Sequence, residues 1–194
     1  SEGTLVVNGG SVLSAHTVDS GAVLRGNGTV GALSIHGTVD PGASDSVAGQ
    51  LSVAGDVTLN DGGILRVDMP SATGTAGTDW DLLVSSDAIV VHESGDFAIE
   101  LAGAAVGFNP GINQSWKIMD GTAMQNFHAD RFWIDTSRFE PATYNGTFSV
   151  TNDEDHSRLY LSFQPSVESA DLFSVTVRDY ASMNLTFEPN GAGQ

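Results

Sequence analysis

The chain contains no cysteine in its 194 residues. That excludes disulfides, Cys-ligated zinc and iron–sulfur clusters. It is compatible with the cytosol, and it also suits a bacterial secreted protein that must cross the envelope unfolded. Positive charge is scarce: Lys and Arg total 7 against 24 Asp and Glu, for a net charge of −17. So acidic a chain repels nucleic acid and anionic lipid and stays in solution. Only 6 prolines stand beside 23 glycines, which argues against both a collagen repeat and a Pro-rich linker. No apolar run approaches the roughly 18 residues of a membrane-spanning helix, so no membrane insertion by this segment is expected. The opening SEGTLVV lacks the basic and apolar regions of a secretory signal. If the protein is secreted, the expectation is that a signal has been removed or that this is a piece of a longer chain.

What is present is a rhythm. Between Leu24 and Leu65, short apolar beats recur: Val30, Leu33 and Ile35, Val39, Leu51 and Val53, Val57 and Leu59, Ile64 and Leu65. Gly, Asn, Asp or Ser fills nearly every gap. Such beats are too short for helices and suit strands of three to five residues joined by tight corners. An isolated hairpin of this kind cannot bury a face. Stacked coils can, each short strand pairing with its counterpart one coil earlier. The pattern therefore predicts an all-β chain, a β-solenoid over residues 1–67 that continues into a wider C-terminal β region. Residues 68–79 break the rhythm with Pro, Thr, Ser and Gly and are predicted to form a loop. Longer strands resume over 80–164, where Trp80, Phe97, Phe108 and Trp116 demand a wider core that caps the solenoid. Residues 165–194 read as a terminal strand pair and a tail. MQNFHADRF is the one stretch with a hint of helix or 3₁₀ turn, and TNDEDHS reads as a hairpin loop.

The rhythmic phrase is also a resemblance. Leu24, Gly26, Gly28, Thr29, Val30, Gly31, Leu33, Ile35, Gly37, Val39, Pro41, Gly42 and Ser44 follow the spacing of a repeated phrase in bacterial autotransporter-type passenger proteins. Gly49, Leu51, Val53, Gly55, Val57 and Leu59 continue it, and TDWDLLVSS, SWKIMDG and RFWIDTSRF are similar to the closing segment of such passengers. The likeness covers about residues 3–164 and departs after Pro165, where neither a run of barrel strands nor an apolar anchor is seen. It implies a right-handed parallel β-helix, exported to the bacterial cell surface or beyond. The function it implies is structural, as a passenger stalk, an adhesion module or a unit of a fibre or matrix.

No residue pattern forces an enzymatic reading. A carbohydrate-active β-helix needs paired carboxylates, and the candidates are Asp79 with Asp81, Asp130 with Asp135, and Asp153, Glu154 and Asp155. Asp79 and Asp81 flank Trp80 and read as the solvent side of a strand whose Trp80 and Leu82 point inward. Asp153–Asp155 reads as a solvated loop tip without the spacing of a calcium loop. His16, His36, His92, His128 and His156 are scattered, with no zinc-ligand spacing. Trp80, Trp116, Trp133, Tyr144, Tyr160 and Tyr180 offer rings for sugar stacking but on strands read as core, while Arg131, Phe132 and Trp133 form one adjacent cation–ring trio. The expectation is therefore no catalytic residue, no cofactor and no metal, with a carbohydrate-binding or carbohydrate-active protein as the rival. The expected partner is another copy or a neighbouring coil, met at the edge formed by Thr4, Leu5, Val6 and Val7, and surface glycans are a further class.

Overall fold

A computed structural model describes residues 3–12, 14–141 and 143–166, and the backbone of residues 174–175 and 187–188. The described chain is all-β. It passes back and forth between two sheets. Strand β1 (Gly3–Val7) lies in the first sheet, and β2 (Ser11–Val12) and β3 (His16–Val18) lie in the second. The chain then returns through β4 (Ala22–Gly26), crosses to β5 (Thr29–Ile35), returns through β6 (Thr38–Pro41), and crosses again to β7 (Gln50–Leu59). Strand β8 (Ile64–Asp68) is followed across by β9 (Leu82–Ser85) and β10 (Ala88–Val91), and β11 (Phe97–Gly103) by β12 (Gln114–Asp120) and β13 (Ala123–Gln125). A last crossing leads to β14 (Phe132–Phe139). The first sheet thus has the order β1-β4-β6-β8-β11-β14, and every pairing in it is parallel.

Parallel register puts like on like. In the first sheet Leu5 aligns with Leu24, Leu24 with Val39, Val39 with Leu65, Leu65 with Ile99 and Ile99 with Ile134. In the second, Val18 aligns with Ile35, Ile35 with Leu59 and Leu59 with Val91. These columns face each other across the core, where Leu24, Val39, Leu65, Ile99, Ile35, Leu59 and Val91 are buried. Burying each such side chain is worth about 1.5–3 kcal/mol. The alternation of Leu51, Val53, Val57 and Leu59 read from the sequence is the burial pattern of β7. An extra residue in β7 near Gly55, relative to β5, shifts the register between Gly31 and Leu33. The next pass breaks at the same place into β9 and β10, and the Ser85 hydroxyl donates to the Gly55 carbonyl at 2.7 Å.

The far end changes character. β12 pairs in parallel with β9 on one side and antiparallel with β16 (Arg158–Pro165) on the other. β16 in turn pairs antiparallel with β15 (Gly146–Asn152). The tight turn joining them is held by Asp153, which accepts from the Ser157 N–H at 2.8 Å, the Arg158 N–H at 3.0 Å and the Arg158 guanidinium at 3.0 Å. The turn desolvates this carboxyl, but those donors outweigh that and hold it below the ordinary carboxylate value. Asp153 is thus part of the turn, while Glu154 and Asp155 are exposed. Under the hairpin, Phe108, Trp116, Phe139, Tyr144, Phe148 and Phe163 form one aromatic cluster. Among the described residues one 3₁₀ turn, Ala129–Arg131, is seen, and it falls inside MQNFHADRF. Of the strand pair predicted beyond Pro165, β17 (Ser174–Val175) and β18 (Phe187–Glu188) pair antiparallel, and the rest, Tyr180 included, lies outside the described residues.

Candidate functional site

The segments between β6 and β7 and between β8 and β9 both carry the chain from the first sheet to the second. Three aspartates meet there. Asp40 lies in β6, Asp68 ends β8, and Asp81 stands just before β9. Each offers a carboxylate oxygen within 4.8 Å of the other two. All are sealed from solvent, with exposures of 0% for Asp40 and 1% for Asp68 and Asp81.

Their partners are different. Asp40 Oδ2 accepts from Arg25 Nε at 3.0 Å, Arg25 Nη2 at 2.6 Å and Arg66 Nη1 at 3.2 Å. This follows from register, because Arg25 stands opposite Asp40 on the neighbouring parallel strand. The pattern continues outward: Arg25 also reaches Asp45, Arg66 pairs with Glu100 at 2.9 Å, and Glu100 pairs with Arg138 at 2.9 Å. Asp40 Oδ1 has no hydrogen-bond partner, and among the described residues it is the buried side-chain oxygen or nitrogen left in that state. Asp68 Oδ2 accepts from the Ser46 N–H at 2.8 Å. Ser46 takes a left-handed φ of 63°, a strained conformation for a non-glycine residue. Asp81 Oδ1 accepts from the Gly49 N–H at 2.7 Å, and its Oδ2 from the Asp68 N–H at 2.8 Å. One carboxyl thereby pins the backbones of both crossing segments.

Negative charge crowded away from water is costly. Burial pushes Asp81 up to about 9. The two backbone N–H donors oppose that rise, and the neighbouring Asp68 and Asp40 add to it. Burial also raises Asp68, with Asp40 reinforcing it. Asp40 is raised by burial against the pull of Arg25 and Arg66.

This overturns the sequence reading of Asp81 as a solvent-facing residue. Leu82 opens β9, so Trp80 and Asp81 precede the strand and its alternation does not apply to them. The 43–49 segment folds over the carboxyl and supplies the Gly49 donor. Asp79 does a separate job: its Oδ2 accepts from the Thr75 N–H at 2.8 Å within its own loop. Asp130 is exposed in the 3₁₀ turn, and Asp135 Oδ1 accepts from the Ser137 N–H at 2.8 Å. Asp81 is therefore joined to Asp40 and Asp68 rather than to Asp79. Nothing in the sequence marked Asp40 or Asp68. Each follows an inward apolar residue, Val39 or Val67, so alternation alone sends both toward water.

The other candidates are dispersed. His36, His92, His128 and His156 are exposed, and His16 lies within 3.3 Å of the Ser14 hydroxyl. Trp80 and Trp116 are core residues, donating through Nε1 to the Lys117 carbonyl at 2.9 Å and the Ala72 carbonyl at 2.8 Å. Tyr144 joins the aromatic cluster and donates to the Thr136 hydroxyl at 2.9 Å, and Tyr160 is half-buried on β16. Trp133 is 60% exposed on β14. Of the edge Thr4, Leu5, Val6 and Val7, the first three are exposed and Val7 is buried. No known family model matches this chain, and no curated protein matches it.

Proposed function

We propose that this chain is a non-enzymatic structural module of a bacterial cell surface or extracellular matrix, a right-handed parallel β-helix that serves as a stalk or spacer, as the autotransporter-type resemblance implies. The observation that carries the reading is the apolar column of the first sheet and how it ends. Leu24, Val39, Leu65 and Ile99 stand in register and are at most 2% exposed, while Leu5, at the head of the same column, is 48% exposed. Strand β1 pairs with β4 on one side, and its other edge has no partner among the described residues. An edge strand with unpaired N–H and C=O groups and an apolar face is a template for another strand. The natural occupant is one more coil of the same kind, either a neighbouring coil of a longer chain or a strand of another copy. The acidic composition and the absence of cysteine suit such a location. The burial of Asp40, Asp68 and Asp81 supports the non-enzymatic reading, because sealed carboxylates do not reach a polysaccharide.

Sedimentation of the chain over a wide concentration range tests the association. Concentration-dependent assembly is expected, and Leu5→Lys with Val6→Lys, both at exposed sites, should abolish it without changing the far-ultraviolet spectrum. A monodisperse monomer at millimolar concentration would rule out pairing between copies through β1.

A further inference from the structure

The buried aspartate triad is more than a stabilising network needs. Asp81 already pins the two crossing segments through the Gly49 and Asp68 N–H groups. Asp40 already satisfies Arg25 and Arg66 through Oδ2 alone. Yet Asp40 Oδ1 is buried without any partner, on a carboxyl that is 0% exposed. A buried charged oxygen in that state costs free energy unless a donor or a cation meets it. The arginines hold Oδ2, which leaves Oδ1 as the Asp40 oxygen without a hydrogen-bond partner.

We infer that Asp40, Asp68 and Asp81 bind one divalent cation of the calcium type, which staples the two crossing segments together. The donor chemistry selects the ion. All three ligands are carboxylates, and no histidine or cysteine joins them. Hard oxygen ligands suit calcium or magnesium and disfavour zinc and copper. Ligand oxygens within 4.8 Å of one another match a sphere of Ca–O bonds of about 2.3–2.6 Å, whose opposite ligands lie about 5 Å apart. The charge balance agrees. The network joins Asp40, Asp45, Asp68, Asp81 and Glu100 to Arg25, Arg66 and Arg138; with a bound cation keeping every carboxyl ionised, Asp81 included, its carboxylates outnumber its guanidiniums by two. One divalent cation neutralises that excess. Both guanidiniums that touch Asp40 sit on Oδ2, while Oδ1 is buried with no hydrogen-bond partner. Through its three ligands the ion would tie β6, the end of β8 and the entry to β9, and so fix the path of the 43–49 and 69–80 segments.

Terbium(III) substitutes for calcium at oxygen sites and emits when a nearby indole transfers energy to it, and Trp80 adjoins Asp81 in the chain. Titration of the chelator-treated native chain with terbium should give sensitised emission saturating at one equivalent. Calcium should displace it with a Kd of about 10⁻³ M or tighter, the range of extracellular modules. Trp80→Phe should remove most of the emission. Asp68→Asn, whose amide oxygen can still accept from Ser46, should weaken binding at least tenfold, while Glu154→Gln in the exposed hairpin turn should leave it unchanged. Two results overturn the inference. One is weak binding of several equivalents that neither Trp80→Phe nor Asp68→Asn alters, which is surface screening by an acidic chain. The other is no binding at millimolar metal together with a higher melting temperature for Asp68→Asn, which means that the triad holds a proton instead of a cation.

Discussion

Trp116→Ala is expected to destabilise the chain by about 3–5 kcal/mol, at the upper end of single-residue effects. Trp116 is 2% exposed, and its ring lies 6.2 Å from Phe108 and 6.3 Å from Phe148. Truncation leaves a cavity in a cluster that two strands of the closing hairpin help to build, because Phe148 lies on β15 and Phe163 on β16. It also strands the Ala72 carbonyl, which accepts the indole N–H at 2.8 Å. An unpaired buried acceptor adds about 1–3 kcal/mol, so the cost should fall near the top of the range. The damage should spread, since β12, which carries Trp116, joins the parallel passes to the antiparallel hairpin. Proteolysis should then reach the earlier passes, because stacked units draw stability from their neighbours. The control is Trp133→Ala. Trp133 is 60% exposed, and its loss should move the urea midpoint little. Equal costs for the two variants would show that the aromatic cluster does not hold this end.

The second large effect lies at Gly26→Ala. Gly26 has a φ of 137°, and a Cβ there would sit 2.0 Å from the Val7 carbonyl oxygen. Those atoms belong to the backbone of the preceding pass and cannot rotate away. The substitution should therefore separate β1 from β4 and cost several kcal/mol, through the clash together with the strained φ. Gly62→Ala separates the two contributions. Gly62 also has a positive φ, 74°, but a Cβ there would meet nothing within 4 Å. Its cost should be conformational alone, about 1–2 kcal/mol. Thermal melts of both variants check this, and a Gly26→Ala protein no less stable than Gly62→Ala would mean that successive passes are not in close backbone contact.

Strands were legible in the sequence because their signal is local. The beats at Val30, Val39, Leu51, Val53, Val57 and Leu59 name inward positions, and all of these are buried. Turn residues placed the β15–β16 hairpin for the same reason, since Asp153 and its neighbours act over four or five residues. The aspartate triad was not legible. Its members are 28 and 13 residues apart in the chain, from Asp40 to Asp68 to Asp81, and only the crossing segments bring them together. Alternation placed Asp81 in water because it treated Trp80 and Asp81 as part of the strand that begins at Leu82. It also gave no notice that the 43–49 segment would cover a polar position. The tryptophans divide between core and surface. Trp80 and Trp116 are core, but Trp133, on the edge strand β14, is exposed.

Parallel stacking of successive passes is tested most directly by the distance between two strands of the first sheet, β4 and β14. The chain has no cysteine, so a pair of introduced cysteines takes spin labels without background. Val23 aligns with Thr38, Thr38 with Ile64, Ile64 with Ala98 and Ala98 with Trp133, which puts Val23 and Trp133 four strand spacings apart. At about 4.8 Å per spacing the backbone separation is about 19 Å. Pulsed dipolar spectroscopy on the Val23→Cys, Trp133→Cys double variant should give a single narrow maximum near that distance, broadened by the label tethers. A maximum at roughly twice that distance, or a distribution without one, would contradict four parallel steps of strand spacing and with them the proposed stalk.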